Sequence, residues 1–223
     1  MIGGFFLVVE GAEGAGKSTL TAGLVGRMRT LGLDPVAVRE PGGTPAAEAV
    51  RAAFLDPANR FAPNTELLYI CAARAHLVQE VIRPALEAGR PVVCDRYELS
   101  TLAYQGAGRG LDSGTVALVN RVATAGLQPH LTLVLDIPPE VGLRRQVAGA
   151  KAHDRLERED GEFHRRVAEA YLAATGDRVR HLDGMASPAA VLEAAWAEVV
   201  AAAPAIFSME RRVGSPPARE TDV

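Results

Sequence analysis

The sequence predicts an α/β fold in which a parallel sheet is covered by helices on both faces. Short apolar runs alternate with longer stretches whose apolar residues recur every three or four positions, the pattern of successive βαβ units. The first run, Phe5-Phe6-Leu7-Val8-Val9, leads through Gly11-Ala12-Glu13-Gly14-Ala15-Gly16-Lys17-Ser18 directly into helical periodicity, which is the setting of a phosphate-binding P-loop. A length of 223 residues suffices to bury one central sheet between two helical layers.

Taken in order, strands are expected at Phe5 to Val9, Pro35 to Val38, Pro91 to Cys94, Leu131 to Leu135 and Arg178 to Leu182. They are short and mostly Val- or Leu-rich, as strands buried on both faces tend to be. After the first strand, Leu20, Leu24, Met28 and Leu31 mark a helix ending near Gly32. Leu67, Cys71, Val78, Val81, Ile82 and Leu86 mark a second, long helix stopped by Gly89, which Pro84 should kink or end early. Further helices are expected at Ser113 to Ala125, Pro139 to Val147, Gly161 to Ala174 and Pro188 to Ala203. Trp196 falls at helical spacing from Leu192 and Val199 and reads as core packing. The segment from Ala148 to Asp160 is small, charged and poorly patterned, as a mobile cover over a site or a solvated loop would be. From Ser208 onward the chain has no periodicity and reads as a disordered tail, so the expected domain is 1–207 and the tail 208–223.

An apolar fraction of 48% with 23% charged residues is ordinary for a soluble globular protein. The net charge of −3 gives no general attraction to nucleic acid. No segment approaches the length of a membrane span, and Glu10 interrupts the one apolar run near the amino terminus. Cys71 and Cys94 sit inside apolar patterns with no metal-ligand spacing, which points to the reducing cytoplasm. His76, His130, His153, His164 and His181 have no shared ligand spacing and read as surface or structural residues, His153 being the one inside the 148–160 segment.

The P-loop glycines let backbone N–H groups wrap a phosphate, the helix beginning near Lys17 adds its positive end, and Lys17 reaches the terminal phosphates. Ser18 supplies an oxygen to Mg2+. The third strand ends in Asp95-Arg96-Tyr97, and ligands of open α/β sheets bind at the carboxyl ends of strands. Asp95 there can hold the magnesium shell and Arg96 can grip a phosphate, with a local ion pair capping the strand as the lesser alternative. The second strand ends in Arg39-Glu40-Pro41-Gly42-Gly43-Thr44, a tight loop beside the P-loop strand.

Glu40-Pro41-Gly42-Gly43-Thr44 and the run from Val93 to Gln105 resemble thymidylate kinase, as do the P-loop, Ala72-Ala73-Arg74 and Asp154-Arg155-Leu156-Glu157. The resemblance covers roughly residues 5 to 200 and five motifs in the family's order. It implies a P-loop kinase fold with a five-stranded parallel sheet, a homodimer, and transfer of the ATP γ-phosphate to dTMP. By matching position, Gly11, Ala12, Glu13, Gly14, Ala15, Gly16, Lys17, Ser18 and Thr19 would bind ATP. Arg51 and Arg96 would hold the acceptor phosphate, while Arg74, Thr101 and Gln105 would read the thymine edge. Glu13 would meet the sugar 3′-hydroxyl and Tyr104 would pack against the ribose. With Gly14 at the P-loop position where some relatives carry arginine, the chain resembles the bacterial type whose lid, about 148–160 here, supplies the catalytic cation. Arg155 is then expected beside Lys17 and Arg96 in catalysis, with Arg144, Arg145 and Lys151 as alternates. Two positions depart from the family pattern. Ile70 replaces a phenylalanine that stacks on the base, a contact worth about 1 kcal/mol, and Ala148-Gly149-Ala150-Lys151 is lean in arginine. Ile70 leaves a modified pyrimidine nucleotide open as acceptor, and a noncatalytic ATP-driven switch is the reading outside catalysis.

Overall fold

A computed structural model of the chain describes residues 3–148 and 154–208, apart from the side chains at 143 and 146–148. Five parallel strands, β1 (Phe6–Gly11), β2 (Val36–Arg39), β3 (Val92–Asp95), β4 (Leu131–Asp136) and β5 (Val179–Asp183), form one sheet in the order β2-β3-β1-β4-β5. All five strands expected from the sequence are present: β4 begins at Leu131 as expected and the other four one residue later, and each runs past its expected end, β1 through Glu10 to Gly11 and the others by one polar residue. The central strand β1 is buried at every position. Its period-two alternation divides the core: Phe5, Leu7 and Val9 face one apolar cluster, and Phe6 and Val8 face another.

The first cluster lies under α1 (Lys17–Thr30), α9 (Pro188–Ala202) and α10 (Pro204–Phe207). Trp196 belongs to it, edge-on to Phe207 and covered by the Arg27 guanidinium at 4.9 Å. The opposite face is covered by α3 (Pro63–Leu77), α4 (Arg83–Glu87), α6 (Ser113–Thr124) and α8 (Gly161–Leu172). The helix α7 (Pro139–Ala148) follows β4. Lys151, His153 and most of the tail from 208 lie outside the described residues.

Three helices escaped the periodicity, among them the four-residue α10. The helix α2 (Pro45–Leu55) follows the Glu40–Thr44 loop and is capped by Thr44, whose hydroxyl accepts from Ala47 N at 3.1 Å. A Thr-Pro pair is a start signal readable in the sequence, but the helix is only 11 residues long and largely surface. The helix α5 (Glu98–Thr101) runs into a wide π-helical turn, Leu102–Gly108. Pro84 does not end the long second helix. A π-helical stretch at Val78–Ile82 joins α3 to α4, with Arg83 N–H bonding Val78 O five residues back. The wider turn accommodates a ring that carries no N–H and would press on the preceding turn.

Candidate active site

The carboxyl ends of β1, β2 and β3 bring the P-loop, the Glu40–Thr44 loop and Asp95–Tyr97 to one edge of the sheet, with Val9 in register with Asp95. Gly16, at φ 98°, precedes the first turn of α1. Gly14 lies at φ 72°, and a Cβ there would meet Gly142 O at 2.7 Å. In return, a Cβ on Gly142 would meet Glu13 O at 2.6 Å, so α7 seats directly on the loop. The absence of a side chain at position 14 is thus a packing requirement. Lys17 is buried and donates from Nζ to Gly11 O and Ala12 O at 3.0 and 2.8 Å. Burial first, and Arg96 second, pull its ammonium down to about 7 against the opposing attraction of Asp95, Glu13 and Glu10.

Ser18 Oγ donates to Asp95 Oδ2 at 2.9 Å. Ser18 in the first turn of α1 and Asp95 at the end of β3 thus set two hard oxygens side by side, a pairing that suits Mg2+, which is commonly held by one or two protein oxygens together with substrate phosphates. Among the described residues there is no group of three or more His, Cys, Asp or Glu side chains placed to hold a metal by themselves.

Arg96 has φ 73°, a left-handed conformation that costs a non-glycine residue about 1–3 kcal/mol and persists where surroundings enforce it. Those surroundings are Gly11 O, Ser100 Oγ, Tyr171 OH and Tyr104 OH, all acceptors for its guanidinium at 3.0 to 3.3 Å. Tyr104 OH donates in turn to Glu13 Oε1 at 3.1 Å, linking the P-loop to the acceptor side. Beneath Arg96 lies Glu10, fully buried, which accepts from Tyr97 N at 2.8 Å, Ser100 N at 3.1 Å and Ser100 Oγ at 2.6 Å, with Tyr171 OH at 3.2 Å. Its carboxylate caps α5 from a different strand, although burial pushes its carboxyl up. Glu10, Ser100 and Tyr171 were not expected at the site. A glutamate inside a wholly apolar strand was the available signal, since a buried carboxylate must find partners.

A cavity of about 210 Å³ opens beside this cluster, lined among others by Glu13, Arg51, Ile70, Arg74, Arg96, Thr101, Tyr104 and Gln105. Every acceptor-site residue expected from the sequence is therefore brought to one cavity. Arg51 donates to Pro41 O at 2.8 Å, across the loop whose Glu40-Pro41 peptide is cis. Arg74 is 1% exposed, and its N–H groups are directed at Glu40, Thr101, Asn120 and the Tyr97 carbonyl. Burial raises the Glu40 carboxyl to about 7 while Arg74 pulls the other way. Ile70 lies in the lining with Phe54 and Leu156 as an apolar surface, while neighbouring Tyr69 packs on Phe61 with ring centroids 4.8 Å apart.

The lid candidates separate. Arg145, on α7, donates to Gly14 O at 3.0 Å and so touches the P-loop. Arg144 is exposed. Arg155, expected to reach the transferred group, instead donates from Nε to Phe54 O at 2.9 Å, pairs with Glu66 and lies over the rings of Phe54 and Phe61. It lines a neighbouring cavity with Arg60, Glu66 and Arg109, and the cavity of about 210 Å³ is lined instead by Asp154, Leu156 and Glu157 from the same turn. A smaller cleft of about 140 Å³ lies between Gly16, Thr19, Arg145 and Gly184 to Pro188. His130 Nδ1 accepts from Phe6 N and His181 Nδ1 faces Asp136 at 2.9 Å, both structural settings.

The family model described as Thymidylate kinase matches residues 9–194. The chain is 50% identical to a thymidylate kinase of Synechococcus sp. (strain JA-2-3B'a(2-13)) over 199 residues, 87% of this chain and 93% of that protein. It is 48% identical to one of Thermomicrobium roseum, covering 87% and 94%, and 46% identical to one of Pseudomonas putida (strain F1), covering 92% and 97%.

Proposed function

The chain belongs to the thymidylate kinase family, and from that premise we propose how its residues carry out the reaction. It is an ATP-dependent nucleoside monophosphate kinase that converts dTMP to dTDP. An oxygen of the dTMP phosphate attacks the γ-phosphorus, the bond to the β-phosphate oxygen breaks, and ADP leaves. Such a transfer needs alignment and charge neutralisation more than covalent chemistry.

The observation that carries the residue roles is one acceptor cavity joined to the P-loop through the Glu13, Tyr104 and Arg96 contacts. Residues Gly11 to Thr19 cradle the triphosphate, and the ATP nucleoside occupies the cleft beside Arg145 and Gly184. Lys17 and Arg96 hold the donor and acceptor phosphates from opposite sides, and Arg51 assists on the acceptor. Tyr104 meets the sugar beside Glu13, while Thr101 and Gln105 face the base over the apolar surface of Ile70 and Phe54. Arg74 acts on the base through Thr101, which it holds at 2.9 Å. Ser18 and Asp95 would hold Mg2+, which neutralises phosphate charge when bound. Arg145 is the described basic side chain best placed to supply a further cation from the α7 side, and Arg155 anchors the acceptor wall. Of the lid expected at about 148–160, the described part brings Asp154, Leu156 and Glu157 to the wall of the acceptor cavity, where they help to exclude water.

We further propose a single kinase domain over 1–207, acting as a homodimer in the cytoplasm without nucleic-acid partners. Leu68 on α3 and Leu118 and Val122 on α6 are 60%, 59% and 74% exposed on two helices that pack together, an apolar face that a second copy would cover. Free, buried Cys71 and Cys94 suit a reducing compartment. No described helix is long and apolar enough to cross a membrane.

An assay coupled to ADP release, run over a panel of nucleoside monophosphates and 5-substituted analogues, tests the assignment. Strong stimulation by dTMP is expected, and ATP turnover indifferent to every monophosphate would instead fit an ATP-driven switch.

A further inference from the structure

The acceptor cavity owes the order of its hydrogen-bonding groups to residues behind it. Thr101 Oγ1 accepts from Arg74 Nη1 at 2.9 Å, and a guanidinium has no acceptor to offer in return, so the Thr101 hydroxyl proton is left for the cavity. Gln105, 2% exposed, turns its Nε2 toward Glu66 Oε2 at 3.4 Å. Glu66 lies outside the lining of that cavity, on α3, and is 1% exposed. Its oxygens are held by Arg109 at 2.9 Å and by Arg155. A carboxylate between two guanidinium groups accepts and does not donate, so the amide N–H side of Gln105 is kept toward it and the amide oxygen is what remains for the cavity.

We propose that Glu66 is a positioning residue that fixes the amide orientation of Gln105 and thereby selects an imide-bearing pyrimidine over an amino-bearing one. The inference rests on the kinase reading above. With phosphate and sugar anchored at Arg51, Arg96 and Tyr104, both kinds of base occupy one seat. There a thymine edge offers a carbonyl acceptor and then the N3–H donor, matching the Thr101 hydroxyl and the Gln105 oxygen. Cytosine offers an amino donor and then an N3 acceptor, which reverses both contacts. A buried site built for one hydrogen-bond order rejects the other strongly, because its own groups would be left unpaired.

Steady-state kinetics of the wild type, Glu66→Gln and the double variant Glu66→Gln/Gln105→Glu with dTMP and dCMP test this, with thermal unfolding followed in parallel. Glu66→Gln presents both donor and acceptor to Gln105 and lets its amide turn. The dTMP-over-dCMP ratio of kcat/KM should fall about tenfold or more, through a raised KM for dTMP with kcat at saturation little changed. The double variant keeps a buried carboxylate beside Arg109 and presents only acceptor oxygens from position 105, so the ratio should return toward that of the wild type. A Glu66→Gln enzyme that loses activity equally on both nucleotides, or a double variant that folds with the ratio still collapsed, would overturn the role. If Glu66→Gln does not fold, the double variant alone decides between those outcomes. Wild-type protein inactive on dTMP would instead count against the kinase reading, so the two failures are distinguishable.

Discussion

Lys17 and Arg74 show how burial changes what a cationic side chain can do. The Lys17 ammonium is lowered to about 7 by burial, so above that pH the ligand-free side chain is largely neutral. A triphosphate against Nζ favours the charged form, so ATP binding should take up a proton and weaken as pH rises above 7. Calorimetry in buffers of different ionisation enthalpy at about pH 8 should register uptake of about one proton in the wild type, and buffer-independent heats would refute it. Lys17→Met should lose transfer with its fold intact, and full retained activity would remove Lys17 from the mechanism. The Arg74 position was legible from the sequence, but its burden was not. Read as a base contact, Arg74→Ala should mainly raise the acceptor KM. In the folded protein the change also strands buried Glu40 without its cation, which typically costs about 3–5 kcal/mol. Thermal unfolding should fall by roughly 6–20 °C, and an unchanged midpoint would show that Glu40 finds another partner.

Among the elements, α7 gives the sharpest case. Its periodicity was readable, yet nothing in the local sequence says that Gly142 rests on the Glu13 carbonyl. A methyl group there would meet that oxygen at 2.6 Å. Gly142→Ala should therefore push α7 off the loop and lower kcat/KM for ATP about ten- to hundredfold, with the KM for dTMP much less affected. Equal loss for both substrates would place the damage elsewhere. The helix α2 was missed although Thr44-Pro45 gave it a readable start, and α5 was not readable because a tertiary contact organises it. Thr44 caps α2, but Phe54 and Arg51 on it are explained only by the cavity they line. The N–H groups at the start of α5 are satisfied by Glu10 from β1, some ninety residues away in sequence. Of the two outcomes expected at Pro84, a kink or an early end, the early end did not occur, since a buried helix absorbed the ring by widening to a π-helical turn and ran on into α4.

At the scale of the whole molecule, the parallel sheet places three sequence-distant loops on one edge, and the exposed apolar residues of α3 and α6 form the face proposed above for a second copy. Leu118→Glu/Val122→Glu should halve the mass measured by light scattering while leaving the far-ultraviolet spectrum unchanged. A wild-type protein already monomeric at assay concentrations would sink the homodimer proposal. The strands and the P-loop were determined by sequence alone, because side-chain period and glycine conformational freedom are local properties, while the acceptor residues were named through the resemblance of their motifs to thymidylate kinase. Tertiary structure decided what those residues face. It turned Arg155 toward Glu66, brought Arg145 to the P-loop and buried Glu10 under Arg96. Each of these is a hydrogen bond or ion pair between segments far apart in the chain. Their partners are chosen by the packing of the sheet and helices, which no local pattern of residues encodes.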